Sequence, residues 1–171
     1  MHEDASEGIV IRRARTADVR AIRRLVDIYA PDGRLLAKPT VALYEDVPEF
    51  RVAEVHGEVV GCGALHVMWE DLAEIRTIAV DPDWHGRGIG HRLANGLLDT
   101  ARRLGVARVF VLTFETGFFT RQGFVPIDGT PVEPEVYDEL LRSYDEGVAE
   151  FLDLERVKPN TLGNTRMLLA L

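Results

Sequence analysis

The chain has 171 residues, 46% of them hydrophobic, and a formal net charge of −8. The length and the hydrophobic content predict one globular domain with a sizeable core, and the acidic balance argues against nucleic acid as a partner, because phosphate backbones require a basic surface. A single cysteine, Cys62, excludes an intramolecular disulfide and a four-cysteine zinc site.

Residues 1–8, MHEDASEG, are polar and acidic and are predicted to form a flexible tail. They lack the apolar stretch of a secretory leader and the arginine-rich pattern of a transit peptide. Apolar runs elsewhere are far too short for a membrane span. We therefore expect a cytoplasmic protein with no membrane contact, in which residues 9–171 form the single domain.

The first half of the chain predicts two strands of a hairpin preceded by one strand and two helices. Thr16 is the predicted N-cap of the first helix, with Asp18 in its first turn, and residues 31–33 end it. The predicted strands cover residues 8–13, 50–55 and 59–67. The predicted helices cover residues 16–30 and 41–47.

The second half alternates strands and helices. The predicted strands cover residues 74–80, 108–113 and 166–171. The predicted helices cover residues 92–104, 117–122 and 134–143. This order of elements predicts an α+β fold with a mixed sheet.

Three alternating glycines, Gly86, Gly88 and Gly90, lie between a predicted strand and a predicted helix. Glycine allows close backbone approach and positive φ, and the N–H groups at a helix start favour anions, so this segment fits a pyrophosphate. It is neither a P-loop nor a dinucleotide-binding fingerprint, because the required Gly-Lys-Ser/Thr and third glycine are missing. A glycine-rich loop without a ligand is the alternative.

Residues 78–90, IAVDPDWHGRGIG, resemble the acetyl-CoA signature of the GNAT N-acetyltransferases. The segment RVFVLT followed by FFTRQGF is similar to the next strand and helix of that family, and the resemblance covers about residues 9–128. It implies the acyl-CoA N-acyltransferase fold, with a mostly antiparallel twisted sheet flanked by helices. Two positions depart from the family pattern: His85 replaces the usual Gln or Arg, and Phe119 replaces a tyrosine that many members use as general acid.

The run LAEIRTIAVDP and the C-terminal LDLERVKPNTLGNTRMLLAL resemble bacterial N-acetylglutamate synthases in their short form, without an amino-acid-kinase domain. This resemblance implies acetyl transfer from acetyl-CoA to the α-amine of L-glutamate or L-glutamine, as in the first step of arginine biosynthesis. No metal is implied. Dimerisation is usual in the family, so a homodimer is expected.

Glu74 corresponds to the catalytic glutamate that several members place on this strand, so the resemblance implies that it is the general base. Strand alternation from Glu74 to Val80 predicts that Glu74, Arg76, Ile78 and Val80 share one face. A surface ion pair of Glu74 and Arg76 is the alternative.

The remaining candidate site residues fall into three groups. The acetyl-CoA-binding residues are Ile78, Ala79, Val80, His85, Gly86, Arg87, Gly88, Ile89, Gly90 and His91, with His85 contributing its backbone N–H. The acceptor-binding residues are Lys38, Arg76, Asn160, Asn164, Thr165 and Arg166. The candidate general acids are Tyr137, Tyr144 and Cys62, and the alternative is that water protonates the leaving thiolate.

Two other functions stay open on the sequence alone. One is a GNAT enzyme for a different amine, such as a peptide N-terminus, a polyamine or an antibiotic, because the fold does not fix the acceptor. The other is a regulatory module that binds acetyl-CoA without catalysis, which the replacement of tyrosine by Phe119 would permit.

Overall fold

The structure is a computed structural model that describes residues 8–30 and 38–171, apart from the side chains of residues 159 and 160. The predicted tail, except Gly8, and the predicted helix stop at residues 31–33 therefore lie outside the described residues. Within the described part, no helix is both long enough and apolar enough to cross a membrane.

The described residues form a mixed seven-stranded sheet and associated helices, which confirms the predicted α+β class. The strands are β1 Ile9–Arg13, β2 Phe50–Val55, β3 Glu58–Trp69, β4 Leu72–Val80, β5 Arg108–Thr113, β6 Val125–Pro126 and β7 Thr165–Ala170. Their order in the sheet is β1-β2-β3-β4-β5-β7-β6. The helices are α1 Val19–Tyr29, α2 Thr40–Glu45, α3 Ile89–Leu104, α4 Thr116–Arg121, α5 Pro134–Leu140, α6 Glu146–Phe151 and α7 Lys158–Thr161.

Two compact units make up the described chain. The first holds the described residues up to His66 together with Ile75–Leu104, and the second holds Val67–Glu74 together with Gly105–Leu171. Parallel pairing is found between β4 and β5, whereas β1 with β2, β2 with β3, β5 with β7 and β6 with β7 are antiparallel. The sheet is therefore mostly antiparallel, as the family resemblance implies.

The first unit has a hydrophobic core on each face of its strands. On one face, α1 and α2 bury apolar side chains against β2, β3 and β4. On the other face, Ile89 and Leu93 of α3 pack against β1, β2 and β3. Helical spacing of the apolar residues in α1 and α3 produces these buried stripes, because residues three and four apart lie on one side of a helix.

Helix α3 approaches β3 closely at two glycines. A Cβ added to Gly61 would lie 3.1 Å from atoms of both Ile89 and Leu93, and one added to Gly63 would lie 3.1 Å from atoms of Ile78 and Leu97. These distances are tighter than most real Cβ contacts, so the two glycines make the close helix–strand packing possible. The small residues in the middle of β3 thus set the height of α3 above the sheet.

The second unit is built around aromatic packing. Phe110 of β5 meets Phe151 of α6 edge to face with ring centroids 4.9 Å apart. Met68, Leu72, Leu140 and other apolar side chains complete this core. Phe119 of α4 is buried and lies edge to face with Phe118 and Phe124, at 5.0 and 5.2 Å.

Two sequence expectations about helix starts are wrong. Thr16 begins a 3₁₀ turn whose N-cap is Arg15, and Asp18 accepts the Arg15 N–H at 2.6 Å while pairing with Arg12. Helix α3 starts at Ile89, three residues before the predicted Arg92, because the Arg92 N–H already donates to the Gly88 carbonyl. The ion pair of Asp18 with Arg12 sets the first start, and Gly88 allows the second helix to begin earlier than the apolar periodicity predicted.

The unbroken alternation predicted from Glu74 to Val80 is also wrong. Thr77 has φ of +61°, outside the extended region, so the strand departs from regular geometry at this residue. Alternation resumes afterwards: Ile78 and Val80 contact the α3 side, and Ala79 belongs to the core with α1 and α2.

Replacing Gly61 with valine should lower the free energy of unfolding by about 2 kcal/mol or more, because three added carbons must fit against Ile89 and Leu93. Gly96→Ala is the control. Its Cβ would meet Ile11 at an ordinary 3.5 Å inside a helix, so this variant should be up to about 1 kcal/mol more stable than wild type. Urea denaturation measures both, and an unchanged midpoint for Gly61→Val would contradict the proposed role of the glycine.

Candidate active site

Strand β4 leads directly into a short 3₁₀ turn, Pro82–Trp84, that redirects the chain towards the glycines. The carboxylate of Asp81 accepts the Asp83 N–H at 3.0 Å and caps this turn. Asp81 is held in turn by its own N–H, which donates to the Val60 carbonyl at 2.8 Å, and by an ion pair with Arg24 at 3.1 Å. The Asp-Pro-Asp sequence therefore fixes the exit of β4.

The last carbonyl of β4 is held by two side chains. Tyr29 of α1 donates its hydroxyl to the Val80 carbonyl. The His85 Nε2 lies 3.1 Å from the same carbonyl and 2.8 Å from the Tyr29 hydroxyl oxygen. Because a carbonyl only accepts, the contact requires the proton of His85 on Nε2.

Tyr29 was not identified from the sequence as a site residue, because its position in α1 fits the apolar stripe. The His85 backbone N–H was predicted to contact pyrophosphate, but it donates to the Pro82 carbonyl at 3.3 Å and completes the 3₁₀ turn. The contact of the His85 N–H with pyrophosphate stays a prediction. The His85 side chain ties the loop to the end of β4.

The glycine loop adopts the left-handed conformations that its sequence suggested. Gly86 and Gly88 have φ of +76° and +75°, and a Cβ at either would meet nothing within 4 Å. Glycine is thus required by backbone conformation and not by crowding. Arg87 lies between them with its guanidinium 4.4 Å from the Trp84 ring centroid, a cation–π contact that holds a positive charge beside the loop.

The loop ends in the first turn of α3. The first N–H groups of a helix have no partner within the helix, and its dipole favours negative charge at this end. Gly88, Ile89 and Gly90 supply these positions in α3. The chemistry and backbone of the segment therefore fit a diphosphate group.

Glu74 lies near the start of β4 and is almost entirely buried, with 5% of its surface exposed. It pairs in parallel register with Phe110 of β5. Arg166 lies close enough for Glu74 to raise the Arg166 pKa, although burial has the larger and opposite effect and lowers it overall. The second unit therefore places a buried carboxylate near a half-buried guanidinium.

Arg166 directs most of its N–H groups at backbone carbonyls. It donates to the Gly129 carbonyl at 2.8 and 3.2 Å, to Glu150 at 3.1 Å and to Phe151 at 2.6 Å. Glu150 and Phe151 are the last residues of α6, whose final carbonyls lack helical partners. Arg166 thus caps α6 and joins it to β7, and its guanidinium also lies 5.0 Å from the Phe110 ring centroid.

The other predicted acceptor-binding residues lie on several elements. Arg76 is half-buried on β4, and Lys38 precedes α2 with its carbonyl accepting a hydrogen bond from Arg23. Asn160 lies in α7. The Asn164 N–H donates to Thr161 at 3.2 Å, and Thr165 begins β7 opposite Thr113.

The comparisons with known proteins identify the family. Residues 20–124 match the acetyltransferase (GNAT) family model. An amino-acid acetyltransferase of Mycobacterium tuberculosis is 64% identical over 166 residues, covering 95% of this chain and 94% of the relative. The chain belongs to the GNAT acetyltransferase family. Acetyl-CoA is its co-substrate, as the resemblance implied.

Solved structures agree with this assignment. The M. tuberculosis protein Rv2747, in complex with CoA and NLQ, matches with a TM-score of 0.93 and 64% identity over 95% of this chain and 99% of that chain. The N-acetylglutamate synthase of Neisseria gonorrhoeae, complexed with CoA and N-acetyl-glutamate, matches with a TM-score of 0.76 and 25% identity over 95% of this chain. This chain spans 35% of that larger protein.

The three candidate general acids of this GNAT chain have different surroundings. Cys62 is buried, which raises its pKa to about 12, and its thiol lies 3.5 Å from the Thr77 carbonyl. Tyr137 donates to the Leu152 carbonyl at 3.4 Å, and Tyr144 is fully exposed. Among the residues that the structure describes, no cluster of three or more His, Cys, Asp or Glu side chains could hold a metal ion.

Replacing Gly88 with alanine should weaken acetyl-CoA binding by about tenfold, because the left-handed conformation costs a non-glycine residue about 1–2 kcal/mol. Gly105→Ala is the matched control: Gly105 follows the other end of α3, has φ of +87° and would also meet nothing within 4 Å. Gly105→Ala should keep the wild-type affinity for acetyl-CoA by calorimetry, whereas Gly88→Ala should bind it less tightly, because its loop must adopt the strained conformation in order to bind. Equal losses of affinity would show that the loop has no special role.

Proposed function

We propose that this chain transfers the acetyl group of acetyl-CoA to the α-amine of L-glutamate or L-glutamine. As in the sequence-based hypothesis, the product would enter arginine biosynthesis in the cytoplasm, and residues 9–171 would act as one domain in a homodimer. The proposal that the acceptor is an amino acid rests on the 64% identity, over nearly the full length of both chains, to an amino-acid acetyltransferase. The complex of the N-acetylglutamate synthase with N-acetyl-glutamate supports the choice of glutamate.

The acetyl-CoA end of the site would lie along the second half of β4 and the loop that follows. Backbone N–H groups of Ile78–Val80 would polarise the acetyl carbonyl as a small oxyanion hole. Gly86–Gly90 would hold the pyrophosphate, with the positive charge of Arg87 beside it. The bonds from Tyr29 and His85 to the Val80 carbonyl support this arrangement. They fix the residue at which the proposed oxyanion hole ends and the chain leads into the proposed pyrophosphate loop.

Glu74 would act as the general base. An ammonium group has no lone pair, so the acceptor must lose a proton before it attacks. The nitrogen then forms a bond to the acetyl carbon, the carbon–sulfur bond breaks, and CoA leaves as a thiolate. The acylated nitrogen gives its excess proton to water. The burial of Glu74 supports this role, because a carboxylate on a packed strand is held in one position.

The acceptor carboxylate requires a cation or hydrogen-bond donors. Arg76 and Lys38 remain the proposed cations, with Asn160, Asn164 and Thr165 as further donors. Arg166 has four hydrogen bonds to backbone carbonyls, so we propose that it positions the C-terminal segment and supplies a fixed positive charge near Glu74. Direct capture of the substrate carboxylate by Arg166 would require some of these bonds to break.

The leaving thiolate would be protonated by water. Phe119 carries no transferable proton and is part of an aromatic cluster, and the high pKa of Cys62 makes it a weak acid. A free thiol has a pKa near 8.5, so a thiolate can leave at neutral pH without a dedicated donor.

An acceptor screen tests the proposed reaction. Release of CoA thiol from acetyl-CoA should increase on addition of L-glutamate or L-glutamine, and not with spermidine, an aminoglycoside or a peptide with a free N-terminus. Turnover with one of those amines alone would assign the chain to another GNAT acceptor class. Tight acetyl-CoA binding with no turnover of any amine would favour the regulatory module.

Glu74→Gln should lower kcat by about 100-fold or more, because the amide cannot accept the proton while its shape is nearly that of the carboxylate. The affinity for acetyl-CoA should stay close to that of wild type. Glu139→Gln, which makes the same change at an exposed ion pair with Arg142, should leave kcat unchanged. If Glu74→Gln retained wild-type kcat at saturating substrates, Glu74 would have no role as the base.

A further inference from the structure

A groove lies on the first unit, between the strands β1 and β2 and one side of α3. Its volume is about 340 Å³. Its lining residues are Ile11, Arg51, Arg92, Asn95, Gly96, Asp99 and Arg103. None of these belongs to the proposed acetyl-CoA or acceptor sites, and three of the seven are arginines on a chain whose net charge is −8.

The two central arginines of the groove share one hydroxyl group. The Thr100 oxygen accepts from the Arg51 guanidinium at 3.0 Å and from the Arg103 guanidinium at 3.5 Å. Thr100 donates its own proton to the Gly96 carbonyl at 3.1 Å. Because the hydroxyl proton is committed to the helix, the oxygen lone pairs face the two guanidinium groups and hold them near one another.

A further arginine strengthens the positive charge at Arg51. Arg13 is directly opposite Arg51 in the antiparallel pair of β1 and β2, so both side chains lie on the same face of the strands. Burial, and then the charges of Arg13 and Arg103, lower the pKa of Arg51, whereas the charge of Asp99 has the smallest effect and raises it. Gly63 lies opposite Arg51 on the other side, in β3.

The groove holds fewer negative charges than positive ones. Asp99 is its single carboxylate, and that carboxylate forms an ion pair with Arg102 at 3.1 Å. Among the residues that the structure describes, no carboxylate oxygen lies within ion-pair distance of Arg13, Arg51, Arg92 or Arg103. Like charges placed together in this way are destabilising unless a counter-charge is bound.

We propose that this groove binds a small oxyanion carrying two or more negative charges, such as a phosphate group or a polycarboxylate. Planar guanidinium groups bind such oxygens with paired hydrogen bonds. Arg51 and Arg103 form the centre of the site. Arg92, from the first turns of α3, and the Asn95 amide extend it along the helix.

Titration of the full chain with inorganic phosphate and with citrate, against sodium chloride at equal ionic strength, tests the proposal. Phosphate, citrate or both should raise the midpoint of thermal unfolding above the chloride control, because an anion that binds only the folded state stabilises it. Binding of phosphate alone would identify a phosphate-bearing ligand, and binding of both would identify a general polyanion site. A midpoint that depends on ionic strength alone would overturn the proposal.

Arginine variants test whether the anion binds in this groove. Arg51→Gln and Arg103→Gln should each weaken the anion affinity by about tenfold or more, since bonds to a charged group are lost. Arg142→Gln, at an exposed arginine outside the groove, should bind as wild type does. Arg103 is exposed, so its variant reports on the site even if Arg51→Gln unfolds. Unchanged anion affinity in Arg103→Gln would instead place the anion elsewhere, such as at the glycine loop, and would overturn the assignment.

Discussion

Helix α3 rests on a strand that has no side chains at its two points of closest approach. Gly61 and Gly63 of β3 let Leu93, Leu97 and the first residue of the helix pack directly over the strand. The start of α3 is therefore fixed in height and direction by core packing. The glycine loop needs this constraint, because the exposed N–H groups at a helix start bind an anion well only when they are held in place.

In the proposed reaction, strand β4 would contribute to the site at both of its ends. Glu74 lies near its first residue, in a packed region close to the charge of Arg166. At its last residue, the Val80 carbonyl is held by α1 through Tyr29 and by the loop through His85. Thr77, between the two, has a positive φ that costs about 1–3 kcal/mol and that surrounding packing must maintain. Such a departure from regular strand geometry is typical of functional positions.

The sequence predicted most of the fold because its local patterns agree with one another. The hairpin at residues 56–58, the apolar stripe of α3 and the buried run RVFVLT each identify one element. Helix α6 was missed because it has only six residues, although Asp145 caps it by accepting the Val148 N–H at 2.9 Å. An acidic cap before a short apolar stretch could have indicated it.

The site was less predictable than the fold. The glycine conformations followed from composition, since few other residues adopt positive φ. The position of Arg166 did not, because its carbonyl partners come from a loop and a helix far away in the sequence. Tyr29 could not be predicted as a site residue from the sequence. A tyrosine on the apolar side of a helix fits the apolar pattern, yet the hydroxyl at the far end of its ring can still donate a hydrogen bond.

Recognition of an α-amino acid can be measured by one comparison of rates. The measurement is kcat/KM for L-glutamate or L-glutamine against the same molecule without its α-carboxylate, 4-aminobutanoate or 4-aminobutanamide. If the site binds the α-carboxylate through paired charges, removing it should lower kcat/KM by at least about 100-fold, since the groups that bind it would be left unpaired. Equal values for the two amines would show that the site does not recognise the α-carboxylate.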